Sequence, residues 1–573
     1  MTVTPPGTPR TGPPAPAAEA RPPAPAVPLP PPAVSLPPPA TAPHGSPADH
    51  LTPASPRFLA RAALVTAALS VAGALLGLVR DQALARLFGA GSGTDAFLVA
   101  WTVPEFAATL LIEDGLAFAL VPAFSGALAR RAQGAPGDPV RALLAATLPR
   151  LALAFAATGA LLIATAPYVV EVLAPGLPDA ALAADCTRLT ATCVLSFGLA
   201  GYGSALLRAH RRFTAPAAIY VAYNAGIITV MPLLGGRLGV RAAAAGVAVG
   251  GCLMVAVQLP SLVRQLRRHS VPPTAAGQVP GAQPVALALF GSVLLFALCR
   301  QSQVLIERYL GSALPAGAIS HLNYAQKVAQ IPMTLSVMLC TVTFPVVARA
   351  LADGDTERAR GRVERDLALA TCLVLLGTAV AWACAPQIVE LLFQRGAFTA
   401  RDTAATAGVM RVYALGLLGQ TLVGVLVRAY FSAGRATWYP LAAMAAGIAA
   451  TCWLGAATVG PWGVRGIAAA NACGISVTAV LLLARAGALG VPVRVPRVLR
   501  ELVRPLTAAV AAAAAGAFAA SRPESAVAGL AAGAATVTGV FALLCLVLGA
   551  EGCAPVFRSV GTVTRRITHG RTR

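Results

Sequence analysis

Charge is scarce in this chain. Only 12% of its 573 residues are charged, against roughly 25% in an average soluble domain. That shortage argues against an ordinary cytosolic enzyme. Lysine is nearly missing, with Lys327 alone among 44 basic residues. No Cys-x-x-Cys pair occurs among the eleven cysteines, so the usual zinc and thiol-redox spacings are absent. Most of these cysteines sit inside apolar runs, where a thiol packs as a small hydrophobe. There is no Walker A loop, no Gly-x-Ser-x-Gly elbow and no His-Glu-x-x-His. Catalytic residues, metal ligands and cofactors are therefore not expected. No short apolar stretch precedes a small-residue cleavage site, so no secretory signal is expected either.

What is plentiful is apolar surface. Hydrophobic types make up 57% of the chain and the mean hydropathy is +0.71. That much apolar surface needs lipid around it. The net charge of +22 does not point to nucleic acid, because the arginines fall in short clusters between apolar runs, as cytoplasmic loops do.

Residues 1–56 differ from the rest. They hold 20 of the 46 prolines and almost no large apolar side chains, so they are expected to form a disordered cytoplasmic tail of polyproline II character. Envelope-synthesis proteins are possible partners of that tail.

From Arg57 onward, apolar stretches recur near the ~20 residues needed to cross a ~30 Å hydrocarbon core. Fourteen are read: 62–79, 94–112, 151–170, 189–207, 215–235, 242–263, 284–306, 319–345, 367–386, 405–427, 439–459, 466–484, 505–521 and 525–549. The stretch 113–128 either lengthens the second span or forms a separate short helix. The runs are long and uninterrupted, so helices are expected rather than a barrel. The loops after even-numbered spans hold 22 arginines and the opposite loops ten. That bias predicts a multi-pass protein of the cytoplasmic membrane with both termini inside. The basic tail 551–573 agrees.

A weak internal repeat is also present. Leu207-Arg208-Ala209 matches Val427-Arg428-Ala429, and Leu87-Phe88-Gly89 matches Tyr309-Leu310-Gly311. Two related halves around a central site are a common transporter plan, although Ala/Leu-rich helices also match by chance.

A charge at mid-bilayer costs roughly 2.5–3.5 kcal/mol on insertion scales, so charges retained there usually face a hydrated cavity. Candidates are Arg80, Asp81, Arg86, Asp95, Glu105, Glu113 and Asp114, then Arg300, Gln301, Gln303, Glu307 and Arg308, then His321, Asn323, Gln326, Lys327, Gln330 and Arg411. Arg86, Glu307 and Arg308 are expected to snorkel at the interface, Asp81 to pair with a neighbouring arginine, and His321 to lie at a helix end. Lys327, beside Gln326 and Gln330, needs an anionic or hydrated partner and is read as a cavity residue.

The run Gly77-Leu78-Val79-Arg80-Asp81, followed by ARLFGAGSGTDAF (85–97), Pro104 and VPAF (121–124), resembles the opening of the MurJ/MviN family. These are lipid II flippases of the multidrug/oligosaccharidyl-lipid/polysaccharide exporter superfamily. RRFTAPA (211–217) with Asn224, NYAQK (323–327), Pro345, LFQRGAFTA (392–400) and the stretch from Arg428 to Pro440 continue the resemblance. It covers roughly residues 58–550.

The resemblance implies an all-α polytopic fold of about fourteen spans, in two six-helix lobes plus two C-terminal helices. The N-terminal lobe would be 57–268, the C-terminal lobe 269–500 and the added pair 501–550. It further implies a flippase for a polyprenyl-diphosphate-linked cell-wall precursor, lipid II by default, working by alternating access among membrane lipids. Arg80, Asp95, Glu113 and Lys327 fall on the family's cavity positions. Ala74 and Ala108 stand where the family has arginines. Three readings follow: a lipid II flippase, a paralogue exporting another lipid-linked glycan or a small molecule, and a non-transporting scaffold of envelope synthesis.

Overall fold

The computed structural model describes residues 56–113, 115–134, 137–267, 287–341, 355–432, 438–487 and 493–550, and among them every regular element is helical. The first series runs α1 (Pro56–Phe88), α2 (Ser92–Ala100), α3 (Thr102–Ala108), a π turn (Thr109–Glu113), α4 (Gly115–Ala132) and α5 (Pro139–Ala164). It continues with α6 (Ala166–Leu173), α7 (Ala180–Ala191), α8 (Cys193–Ala209), α9 (Thr214–Leu238) and α10 (Arg241–Arg267). The second series is α11 (Leu287–Ser312), α12 (Ala318–Ala329), α13 (Ile331–Thr341), α14 (Thr356–Ala383) and α15 (Ala385–Phe393). Then come α16 (Ala400–Ala414), α17 (Leu417–Ser432), α18 (Tyr439–Trp462) and α19 (Val464–Arg485), and finally α20 (Val495–Ala520) and α21 (Ala526–Val547). The described residues from Arg57 onward belong to one compact unit. The proline-rich tail 1–55, Asp114, Pro345 and the basic tail from 551 lie outside the described residues.

Among the described residues, eleven helices are long and apolar enough to cross a membrane. The count is twelve if Ala400–Ala414 and Leu417–Phe431, bent by 45°, form one span. The expected spans 284–306 and 319–345 fall on α11 and on the α12–α13 pair, which are helical and are not among those eleven. They are the segments that carry Arg300, Glu307, Arg308, His321 and Lys327. Of these five, Glu307 and Arg308 are buried, His321 and Lys327 partly buried and Arg300 exposed.

Helix starts follow local chemistry. The Asp138 carboxylate accepts from the Val140 and Arg141 amides, Asp179 from Leu182, and Asp355 from Arg358. Each satisfies donors that a first turn leaves orphaned. Thr399 and Asp402 close a reciprocal capping box.

The internal repeat extends further than short matches suggested. α6 opens on Ala166-Pro167 after α5, and α15 opens on Ala385-Pro386 after α14. Gly239-Val240-Arg241 joins α9 to α10, and Gly463-Val464-Arg465 joins α18 to α19. The two glycines share one backbone conformation, φ 56° and ψ −141° against φ 54° and ψ −133°. That region is open to glycine and strained for other residues. Each glycine folds its helix pair back on itself, so α9 lies along α10 and α18 along α19. α20 pairs with α21, and both rest on α14.

Candidate functional site

Contacts between the first and second series gather at the C-terminal end of α1. The Arg86 carbonyl accepts from the Ala397 amide at 2.9 Å. Asp95, only 3% exposed, caps α12: one carboxylate oxygen accepts from the Gly317 amide at 2.7 Å, the other from the Ser320 amide at 2.7 Å and the Ser320 hydroxyl at 2.5 Å. The Gly176 amide donates to Ser312 Oγ at 3.3 Å. A carboxylate on helix N-terminal amides gains from both hydrogen bonding and the helix dipole. Asp95 is therefore a closing contact in this conformation, and both of its oxygens are occupied.

Arg80 lies two turns before the end of α1. Its guanidinium pairs with Asp81 at 2.7 Å, donates to Asn224 Oδ1 at 3.2 Å and stands 4.4 Å from the centre of the Trp101 ring. Asn224 in turn donates to the Gly73 and Tyr220 carbonyls at 3.1 and 3.0 Å, fixing α9 against α1. The arginine is thus oriented from three sides. The expected pairing of Asp81 with an arginine is what the structure has.

Lys327 closes the gap from the opposite side. Its Nζ lies 3.7 Å from Glu105 Oε1, with both side chains partly exposed. Glu105 also lies within electrostatic reach of Arg80. The structure therefore brings Arg80, Glu105 and Lys327 to one crevice. Beside it, the Gln330 amide donates to Tyr413 Oη at 3.3 Å and to Gln420 Oε1 at 3.4 Å.

Glu113 is presented by the π turn, a distortion common at functional sites. Gly201 of α8 allows that turn its position, since a Cβ there would fall 1.8 Å from the Leu111 carbonyl oxygen. The Tyr220 hydroxyl donates to Glu113 at 2.8 Å. Glu113 thus stands with Tyr220, on the side of α1 that carries Ala74.

Two sequence expectations are overturned. Glu307 and Arg308 do not snorkel: each is only 2% exposed. α11 runs on to Ser312, past the expected end of the span, and carries both side chains into the protein. Asn471 of α19 donates to Glu307, while Arg308 Nε and Nη1 have no hydrogen-bond partner among the described residues. Arg86 is exposed, as expected. His321 Nδ1 and Thr406 Oγ1 are 2.9 Å apart, on the turn after the Asp95 contact. Among the described residues no three His, Cys, Asp or Glu side chains are grouped as a metal site would need.

Two series of helices closed against each other at one end, over a crevice carrying two cations and an acid, define a polytopic helical transporter. The sequence model of the family described as lipid II flippase MurJ matches residues 84–532. The chain is 29% identical over 385 residues to a lipid II flippase MurJ of Burkholderia cenocepacia, covering 65% of this chain and 73% of that protein. It is 27% identical to a probable lipid II flippase MurJ of Bdellovibrio bacteriovorus, covering 74% and 81%. In fold it resembles a structure titled lipid II flippase MurJ, inward closed conformation, with a TM-score of 0.69, 18% identity and coverage of 86% of this chain and 100% of that one. An inward-facing MATE family multidrug transporter follows at 0.57, with 15% identity and coverage of 74% and 98%. The chain belongs to the lipid II flippase MurJ family. It is a multi-pass membrane transporter, not an enzyme.

Proposed function

We propose that the chain flips a polyprenyl-diphosphate-linked cell-wall precursor, lipid II by default, across the cytoplasmic membrane. The observation that carries this reading is the placement of Arg80 and Lys327 at one crevice, with Glu105 between them, beside the Asp95 closure. A diphosphate cannot cross hydrocarbon alone, and fixed cations replace its lost hydration. Arg80, Glu113 and Lys327 hold the headgroup, and Asp95 gates the far end. Residues 57–268 and 269–500 act as the two rocking lobes, with 501–550 added at the lipid face. Both termini are cytoplasmic, so the Asp95 closure is the outer one and the crevice is loaded from inside. The proline-rich tail contacts envelope-synthesis proteins and takes no part in transport.

Complementation tests this directly. Expression of the chain in a bacterium depleted of its own lipid II flippase is expected to restore growth and the appearance of precursor on the outer leaflet. Normal membrane levels without rescue would turn the reading toward another lipid-linked glycan or a scaffold.

A further inference from the structure

Beside the crevice lies a second concavity that the diphosphate reading does not use. It holds about 400 Å³ and runs between α1 and the α8–α9 turn, with Ser70, Ala74, Arg208, Tyr220 and Asn224 among its walls. Asn224 separates it from Arg80, because the same amide side chain that accepts from Arg80 faces this space. Along α1, at 1.5 Å per residue, Ala74 lies about 9 Å and Ser70 about 15 Å from Arg80.

The polar groups of this pocket are not equally occupied. Asn224 is committed to Arg80, Gly73 and Tyr220, and the Tyr220 hydroxyl to Glu113. Ser70 donates to the Thr66 carbonyl but keeps its oxygen free to accept. The Arg208 guanidinium has neither an acid nor a hydrogen-bond acceptor among the described residues, although it is partly buried and within electrostatic reach of Tyr220. A half-buried guanidinium at the wall of such a cavity matches a carboxylate bidentately, whereas an amide leaves it half satisfied.

We infer that this pocket is a headgroup-selecting subsite, in which Arg208 takes a carboxylate carried by the cargo roughly 10–15 Å from its diphosphate. The inference rests on the transport reading and narrows it, because the cargo must then be an acidic glycoconjugate rather than a neutral one. Ala74 serves by being small: a larger side chain would fill the space between Arg80 and Arg208.

The test is equilibrium binding to the full chain in lipid nanodiscs, with three probes. These are bare polyprenyl diphosphate, the same lipid bearing a carboxylated glycopeptide, and that lipid with its carboxylates converted to amides. The wild type is expected to bind the carboxylated lipid about tenfold tighter than the amidated one, the scale of a charge-assisted bond. Arg208→Gln should erase that preference, Arg208→Lys should restore part of it, and Ala74→Leu should weaken both headgroup lipids. All three variants should bind bare polyprenyl diphosphate within twofold of the wild type. Equal binding of carboxylated and amidated lipids by the wild type overturns the subsite but leaves the transport reading standing. Equal loss of all three lipids in a variant also overturns it. Should Arg208→Gln not fold, Ala74→Leu decides. A wild type that binds no diphosphate lipid fails the transport reading itself.

Discussion

Lys327 and Glu105 form the only ion pair, among the described residues, that joins the first helix series to the second. At 3.7 Å and partly exposed, it is a weak bond, worth about 1 kcal/mol or less. A weak internal partner suits a cation that must let go of its acid whenever an anion arrives.

Lys327→Ala is accordingly expected to abolish transport with little change in membrane level. Lys327→Arg should retain most activity because the charge stays. Glu105→Gln removes the competing acid and should tighten binding of polyprenyl diphosphate by up to about fivefold, equivalent to ~1 kcal/mol. Binding in nanodiscs checks all three. Unchanged affinity in both Lys327→Ala and Glu105→Gln would remove the pair from the binding site.

Arg80 stands differently, since Asp81 beside it is only 5% exposed. Arg80→Ala leaves that carboxylate buried without its partner, a loss of roughly 3–5 kcal/mol. Low membrane levels are expected. Arg80→Ala combined with Asp81→Ala should recover folded protein but not transport. Recovery of both would make Arg80 a purely structural residue.

The Asp95 closure predicts a shift in conformation rather than in folding. Asp95→Ala removes three hydrogen bonds to a carboxylate, each worth about 1.5–3 kcal/mol, and should populate the form open at that end. In a cysteine-free background, Ala318→Cys is 2% exposed at the native residue. Its modification by an impermeant thiol reagent should rise at least tenfold. If Asp95→Ala leaves the labelling rate alone, the closure lies elsewhere.

Gly239 and Gly463 should be equivalent in kind. Alanine at either must adopt φ near +55° and is expected to cost about 1–3 kcal/mol, read as a lower unfolding temperature. A neutral outcome at both would mean the turns relax.

Orientation is checked at Glu357, an exposed residue near the start of α14. A cysteine there should react with an impermeant reagent only after the membrane is opened. A chain shortened to begin at Pro56 should transport normally.

Much of this architecture was legible in the apolar runs, and Arg80 and Lys327 announced themselves because ionised groups are rare in lipid. The break at Thr192 was not legible, although Pro104 signals the one at Trp101. Thr192 falls inside an apolar stretch with no proline or glycine at the break, whereas Pro104 has no amide to donate to the Ala100 carbonyl and so breaks the ladder beside Trp101. Asp95 could be picked out, but its partners could not, since two of the three are main-chain amides. Glu307 and Arg308 were misjudged because they follow an apolar run closely. Only the packing of α11 against α12 and α19 puts them inside.

Main-chain groups also supply most of the seal near Asp95: the amides of Gly176, Gly317, Ser320 and Ala397, and the carbonyl of Arg86. Gly176 and Gly317 cannot be exchanged freely, because a Cβ on either would fall 2.8 Å from a neighbouring carbonyl oxygen, of Ser312 and Ala90 respectively. The seal is therefore tied to one carboxylate, to the course of the backbone and to the glycines that let its segments of chain approach, and exchange is open only at its other positions. A blocker aimed at that seal would have to mimic peptide bonds, and replacing the side chains around it would offer little escape from such a compound.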